Sequence, residues 1–318
     1  MHARRPDDPQ LTVVTPLFNC LAYSKAMLAS LTASMPAGLS YEVILVDDGS
    51  TDGTREWIGT LGAPFRVILN ERNLGFGAAT NRGAALARGT YLALLNNDLV
   101  LRPGWLKPML AAARSLGRRA GVIGNVQEGT ASGEVDHAGI FVNLKGKPEH
   151  DRSPPGLLER LFRPVRPAFA VTGACLLLRT EAWRRLGGFD EAYFNGCEDV
   201  DLCLRAAEAG LVNAVAVRSR VAHHVSASPG RKLRDEENSY LLVRRWRLRL
   251  AVHASRLWTW PYFCSLLPEP RDFPDPREAW HMALYLLHCR STPPPAAVAG
   301  MGAAIDLELA RWKAMFPA

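Results

Sequence analysis

The chain has few cysteines and no long apolar run. Its six cysteines, at positions 20, 175, 197, 203, 264 and 289, include no CxxC pair. That spacing argues against a disulfide framework or a zinc site and predicts that most of them are buried small apolar residues. The longest apolar runs, such as FAVTGACLLL ending at Leu178, reach about half of the roughly 20 residues a bilayer-spanning helix needs, so no membrane span is expected. The opening MHARRPDDPQ carries charge and proline but no apolar stretch. It does not read as a secretory signal, and residues 1–10 are expected to be a disordered lead-in to a cytoplasmic protein. What the chain does have is 318 residues with 48% apolar content, enough to bury one large core or two smaller ones. Its formal charge of +7 suits nucleic acid, anionic lipid or phosphate-bearing substrates alike.

From Leu11 onward, short apolar runs alternate with helical stretches, the pattern of strand and helix units around a mostly parallel sheet. LTVVTPLFN, YEVILVDD, FRVILN and YLALLNND read as strands. Between them lie a helix over 22–34, a helix containing Trp57 and Ile58 that Asp52 is placed to cap, and the small-residue helix GAATNRGAALARG, suited to close packing on the sheet. After Gly124 the pattern loosens. GTASGEVDHAGIFVNLKGKPEHDRSPPG is polar and glycine-rich and predicts a hairpin followed by a lid-like loop. FAVTGACLLLR reads as a strand, TEAWRRLGG and EDVDLCLRAAEAG as helices, and the remainder as a basic, tryptophan-rich helical tail without internal repeats.

Side chains at the carboxyl ends of parallel strands converge on one crevice, where open α/β sheets bind ligands. Asp47, Asp48, Asn97 and Asp98 are expected there. Gly75 and Gly77 begin something like a dinucleotide fingerprint, but the third glycine is misplaced and no acidic strand end follows at the required distance, so a nicotinamide site is set aside. Taken singly, these residues have ordinary explanations: Asp47 and Asp48 as turn formers, Glu198 and Asp199 as complements to a helix N-terminus, Asp201 and Arg205 as an i,i+4 pair, and Trp183 and Phe189 as core.

In sequence order, TPLFN, VILVDDGSTDGT, NLGFGAATNRGAALARGTYLALLNND, VTGACLLLR, LGGFDEAYF, EDVDLCLRAAEAG and HHVSAS resemble the family 2 inverting glycosyltransferases, most closely the bacterial rhamnosyltransferase-like members. The resemblance covers about Leu11 to Ser228. It implies a GT-A fold of the α/β class: a Rossmann-like, mostly parallel central sheet flanked by helices, here with a helical C-terminal extension. The boundaries it suggests are 11–226 for the glycosyltransferase domain, with a nucleotide half over 11–125 and an acceptor half over 126–226, and 227–318 for the extension. By the same resemblance, Asp48 contacts the nucleotide base, with Pro16 and Phe18 near the same pocket, Asp47 beside it and Asn97 near the ribose or the cation's water shell; Asn81 is a further polar candidate for the nucleotide, which helix N-terminal hydrogen bonding explains nearly as well. A carboxylate in the role of Asp48 accepts the imide hydrogen of uracil or thymine. Asn96-Asn97-Asp98 stands where the family carries its metal motif but keeps a single acid. Asp98 resembles the ligand of Mn²⁺ or Mg²⁺, and His223, rather than its neighbour His224, resembles a second contact. One carboxylate plus substrate phosphates can satisfy a hard cation, so metal affinity without nucleotide is expected to be weak. Asp199 resembles the catalytic base, Glu198 an acceptor-orienting partner, and Thr172, Gly173 and Ala174 the acceptor-side wall.

The expected partners are therefore a nucleoside-diphosphate sugar, with dTDP or UDP favoured, and a saccharide or lipid-linked saccharide acceptor of cell-surface polysaccharide synthesis. Two rivals stay open at this point: a sugar-phosphate nucleotidyltransferase, against which the absence of a glycine- and lysine-rich triphosphate loop counts, and a catalytically silent scaffold. Over 238–263, arginines interleave with tryptophans and leucines. This suits either a peripheral contact with the inner face of a membrane or an amphipathic helix covering core with snorkelling arginine stems. No recognised nucleic-acid module accompanies the arginines.

Overall fold

The structure, a computed structural model, describes residues 8–224, 234–266 and 275–316. Residues 1–7 of the expected lead-in and Val225–Ser228 of the HHVSAS string lie outside the described residues. The strands are β1 (Leu11–Leu17), β2 (Tyr41–Asp47), β3 (Phe65–Leu69), β4 (Tyr91–Leu95), β5 (Leu99–Leu101), β6 (Ala120–Gly129), β7 (Val135–His137), β8 (Ile140–Val142), β9 (Pro148–His150), β10 (Val165–Pro167), β11 (Cys175–Arg179) and β12 (Val212–His223). The helices are α1 (Leu21–Ser34), α2 (Thr54–Gly59), α3 (Phe76–Ala85), α4 (Leu106–Leu116), α5 (Leu157–Phe162), α6 (Thr180–Leu186), α7 (Glu198–Glu208), α8 (Asp235–Leu266), α9 (Pro276–Leu286) and α10 (Pro295–Met315). They form two compact units, one of residues up to Ile140 together with His150–Arg234, the other of Phe141–Glu149 with Asp235 onward.

In the first unit the sheet runs β10-β12-β6-β11-β4-β1-β2-β3, with β5 added to β12 and β7 to β6. The pairs β1–β2, β1–β4 and β2–β3 are parallel, as the sequence pattern predicts. Their cores, VVT, VILV and LALL, are buried along their length, which is why they read as continuous apolar runs rather than alternating ones. The small residues of α3 serve the packing expected of them: a Cβ on Gly83 would come within 2.5 Å of Val14 and 2.9 Å of Val46.

Beyond β4 the sheet changes direction. β11 pairs antiparallel to β4, β12 runs parallel to β6, and the short β5 returns antiparallel along the end of β12, matching His223 with Leu99. β12, β5 and the helix α4 are not assigned by the sequence reading. Over 129–156 the expected hairpin is formed by β8 and β9, with β7 before it, and residues 151–156 carry no helix or strand; α5 and β10 follow. FAVTGACLLLR is strand only from Cys175, because Thr172–Ala174 forms a turn.

The second unit is largely helical. α8 departs from helical geometry at Trp246 and buries Leu242, Val243, Trp246, Leu250, Ala251 and Ala254. α10 contributes Met301, Ile305 and Trp312 to the buried set. Arg247 pairs with Asp306, and Arg256 lies 4.1 Å over the Tyr285 ring. The segment 238–263 thus has a buried apolar face with arginines along its flanks. No helix among the described residues is long and apolar enough to cross a membrane. Two of the cysteines, Cys175 and Cys203, are buried; the other four are half-buried or exposed, so burial accounts for fewer of them than expected.

Candidate active site

The crevice at the carboxyl ends of β1, β2 and β4 is framed by loops that fasten one another. After β1, Asn19 adopts a left-handed backbone (φ 53); its N–H donates to Ser50 Oγ at 2.8 Å and its Oδ1 accepts from Thr51 N at 2.8 Å. Asp52 accepts from Leu21 N, at the start of α1, and from Thr54 N and Oγ1, at the start of α2. Gly53 itself holds the cap position of α2. The little burial Asp52 has raises its pKa, but the bonds from Thr54 and Leu21 outweigh this and hold it below the ordinary value. Pro16 is half-buried, and Phe18 is 38% exposed beside these loops.

Asp48, 3% exposed, accepts from Asn70 Nδ2 at 2.7 Å and Leu74 N at 3.0 Å on Oδ1, and from Gly75 N at 3.0 Å on Oδ2. One lone pair of Oδ2 is left, which can take a single further donor such as a base imide. Gly75 has φ +92, and a Cβ there would meet the Phe194 ring at 2.9 Å, so this loop needs glycine for both conformation and space.

Several expected nucleotide contacts have other partners here. Asp47 is fully buried, takes Ser50 N on both oxygens and lies 3.5 Å from Arg55; it closes the β2 turn. Asn81 donates to Phe189 O and Glu191 Oε1 and accepts from Phe189 N, so its whole amide holds the loop after α6. Asn97 donates to Ser24 Oγ at 3.0 Å, anchoring the end of β4 to α1. Trp183 and Phe189 are core, with ring centroids 5.0 Å apart.

Asp98 is different. The antiparallel β5–β12 pairing sets His223 beside it, with Nε2 3.2 Å from Asp98 Oδ1. Both residues are buried, yet neither Asp98 Oδ1 nor either ring nitrogen of His223 makes a hydrogen bond. Buried polar atoms without partners are costly. Two ligands of one cation at about 2.1 Å, set at adjacent vertices of an octahedron, stand about 3.0 Å apart, so the pair fits a divalent metal. His224 is committed elsewhere: its Nδ1 is 2.9 Å from Thr130 Oγ1 and its ring lies against Tyr23. Among the described residues no group of three His, Cys, Asp or Glu side chains could hold a metal, leaving the remaining coordination positions to substrate and water.

The turn Thr172–Ala174 links this end of the crevice to α7. Asn96 N donates to Ala174 O at 2.8 Å, and Gly173 N donates to Asp199 Oδ2 at 2.6 Å. A Cβ on Gly173 would come within 3.2 Å of the Phe76 ring and touch Asp199 at 3.4 Å, so a larger residue would press on Phe76. Asp199 is half-buried, and its Oδ1 accepts from Val200 N. Glu198, by contrast, is 5% exposed, with Oε2 on Gly196 N, and supports the α7 entry loop. Asp201 and Arg205 form a buried clamp in which the guanidinium also reaches Leu186 O and Gly188 O.

Two contributors were missed by the sequence reading. Asn195 Oδ1 accepts from Phe76 N at 2.8 Å, joining the α7 entry loop to the start of α3. His137, fully buried, accepts from Thr172 N on Nε2 at 3.4 Å; burial first, then the neighbouring His150, holds its pKa well below the ordinary histidine value. A histidine inside the polar VDHAGI stretch was the available signal.

The model of Glycosyl transferase family 2 matches residues 12–187, and that of Glycosyl transferase family group 2 matches residues 160–305. The chain is 31% identical over 242 residues to the N-acetylglucosaminyl-diphospho-decaprenol L-rhamnosyltransferase of Mycobacterium tuberculosis (strain ATCC 25618 / H37Rv), a match covering 70% of this chain and 78% of the relative. It is 30% identical over 257 residues to the uncharacterized protein y4gI of Sinorhizobium fredii, covering 75% of this chain but only 28% of that protein. Among solved structures it is similar to GalNAc-T7, solved with UDP, GalNAc and Mn²⁺, at a TM-score of 0.59 and 19% identity, over 80% of this chain and 52% of that one.

Proposed function

We propose that the chain, which belongs to glycosyl transferase family 2 of the bacterial rhamnosyltransferase-like kind and has the GT-A fold, is a glycosyltransferase that works by inversion. In this reading it moves a sugar from a nucleoside diphosphate, dTDP or UDP, to a hydroxyl of a saccharide or lipid-linked saccharide acceptor. The lipid-linked acceptor in the name of the mycobacterial relative supports this acceptor class and a role in cell-surface polysaccharide synthesis.

The observation that carries the reading is the contrast across the Thr172–Ala174 turn. On one side stands the Asp98–His223 pair without a hydrogen bond, on the other the Asp199 carboxylate, and the same turn is hydrogen-bonded to Asn96, two residues before Asp98, and to Asp199. Asp98 and His223 would hold a divalent cation, Mn²⁺ or Mg²⁺. When bound, the cation supplies charge neutralisation for the departing diphosphate. Asp48 would use its remaining lone pair on the base, and Phe18 and Pro16 would border that pocket. Asp199 would accept the proton of the acceptor hydroxyl as its oxygen bonds to the anomeric carbon. The anomeric carbon–diphosphate bond breaks on the opposite face, and its electron pair leaves with the phosphate oxygen. The Gly173 N–H aims Asp199 Oδ2 and leaves Oδ1 one free lone pair for that proton.

The test is a thermal shift with UDP, dTDP, GDP and CDP, each with and without Mn²⁺, since ligands of the native state raise its stability. A cation-dependent shift with one uracil or thymine diphosphate is expected. No shift with any nucleotide would overturn the reading.

A further inference from the structure

Helix α5 carries an apolar face that stands exposed among the described residues. Leu157, Leu158, Leu161 and Phe162 are 63, 72, 53 and 76% exposed, and no residue of the helix is buried. At about 100° per residue these four side chains occupy a single arc of about 140°, with Glu159 and Arg160 on the remainder. The helix is nevertheless held in place. Arg218 of β12 donates to Arg160 O at 2.5 Å and to Leu161 O at 2.8 Å, and Glu159 stands 3.5 Å from Arg166. Apolar patches fixed outward on a surface mark contact sites.

Charge indicates the partner. Residues 152–166 contain four arginines and one acid, Glu159. Arg152 pairs with Asp136, and Arg166 with Asp151 and Glu159. Among the described residues no acid lies within ion-pair distance of Arg160 or Arg163, and Arg163 is exposed at the helix end. An apolar arc bordered by uncompensated arginines matches an anionic lipid surface, with leucine and phenylalanine at the acyl boundary and guanidinium groups among the phosphates. We propose that α5 is an interfacial anchor by which the chain docks on an anionic bilayer. This anchor lies apart from the 238–263 segment, for which the sequence leaves membrane contact and core cover both open, and it is independent of the donor and acceptor proposed above.

The experiment is co-sedimentation of the full chain with phosphatidylcholine vesicles and with vesicles also containing phosphatidylglycerol. The native chain should bind the anionic vesicles and be released by high salt, because exposed charges are screened. The double variant Leu158→Glu/Phe162→Glu, with an unchanged thermal melt, should bind about tenfold less. Arg160→Gln/Arg163→Gln should lose the preference for phosphatidylglycerol, and Trp260→Glu in α8 should bind as the native chain does. Absence of binding by the native chain, or undiminished binding by the α5 variants, would overturn the proposal. So would binding that only Trp260→Glu removes. A native dimer that Leu158→Glu/Phe162→Glu converts to monomer would assign the face to a second copy instead.

Discussion

The acids at the end of β2 and the acid at the start of β5 look alike in sequence, but the protein has used them differently. Asp47 and Asp48 are occupied by the protein's own donors: Ser50 N and Arg55 for the first, Asn70, Leu74 N and Gly75 N for the second. Asp98 sits beside an imidazole with which it makes no hydrogen bond, and both are buried. Asp47 thereby serves the fold, while Asp48 serves it with three donors and keeps a single lone pair for a ligand. An unsaturated buried carboxylate costs stability until a ligand arrives. The acids of α7 divide in the same way, with Glu198 and Asp201 serving their own helix and Asp199 facing the crevice turn.

The largest effect that would sharpen this contrast is at Asp199. Asp199→Asn should retain the nucleotide-dependent thermal shift while lowering turnover by about 10² to 10⁴-fold in a sugar-transfer assay; unchanged turnover would remove Asp199 from the chemistry. Next, Asp98→Asn and His223→Ala should each abolish the Mn²⁺-dependent part of the nucleotide thermal shift and slow turnover by about 10²-fold. Chelation of the native enzyme should have the same direction of effect. In the absence of ligand the order reverses. Asp48→Ala strands three donors and should cost about 2–4 kcal/mol in denaturant unfolding, whereas Asp98→Asn should be neutral or stabilising. If Asp48→Ala proved neutral and Asp98→Asn destabilising, the division into scaffold and site would fail.

The smallest effect lies in the helical unit. Lys147 first, then Trp312 and Arg311, hold the Glu236 carboxyl down to about 2 from an ordinary 4.5. A depressed carboxylate contributes stability that is present above its unfolded value and lost as the pH falls through the folded one. Glu236→Gln should therefore lower stability at neutral pH, with the difference shrinking between about pH 4.5 and 2. Glu236 is 43% exposed, and solvent screening limits the effect to about 0.2–1 kcal/mol. Thermal melts of both proteins across that range would measure it.

The parallel half of the sheet was legible because β1, β2 and β4 are buried apolar runs and β3 a short, half-buried one, each closed by turn residues. Of the other half, β11 was read as a strand, but β5, β6 and β12 were not. β12 is matched by β6, β5 and β10, partners from distant parts of the chain, and no local pattern announces such pairings. Asn81 illustrates the same limit at the level of a single residue. It was one of several polar candidates on the nucleotide side, and only the packing of the loop after α6 against α3 shows both its amide donors and one oxygen lone pair engaged by Phe189 and Glu191. His137 illustrates the converse, a histidine in an unremarkable polar stretch that folding brings under Thr172.

Local chemistry along the chain thus determined the α/β class, the family motifs, and the absence of an apolar run long enough for a membrane-spanning helix, because periodicity, turn residues and short strings are properties of neighbours in sequence. Which of two adjacent histidines meets Asp98, which of the three acids in the first turn of α7 faces the crevice, and which helix exposes an apolar edge were decided by the tertiary structure. Those outcomes depend on strand register and on which donors happen to be within about 3 Å, distances that exist only after residues far apart in the chain have been brought together.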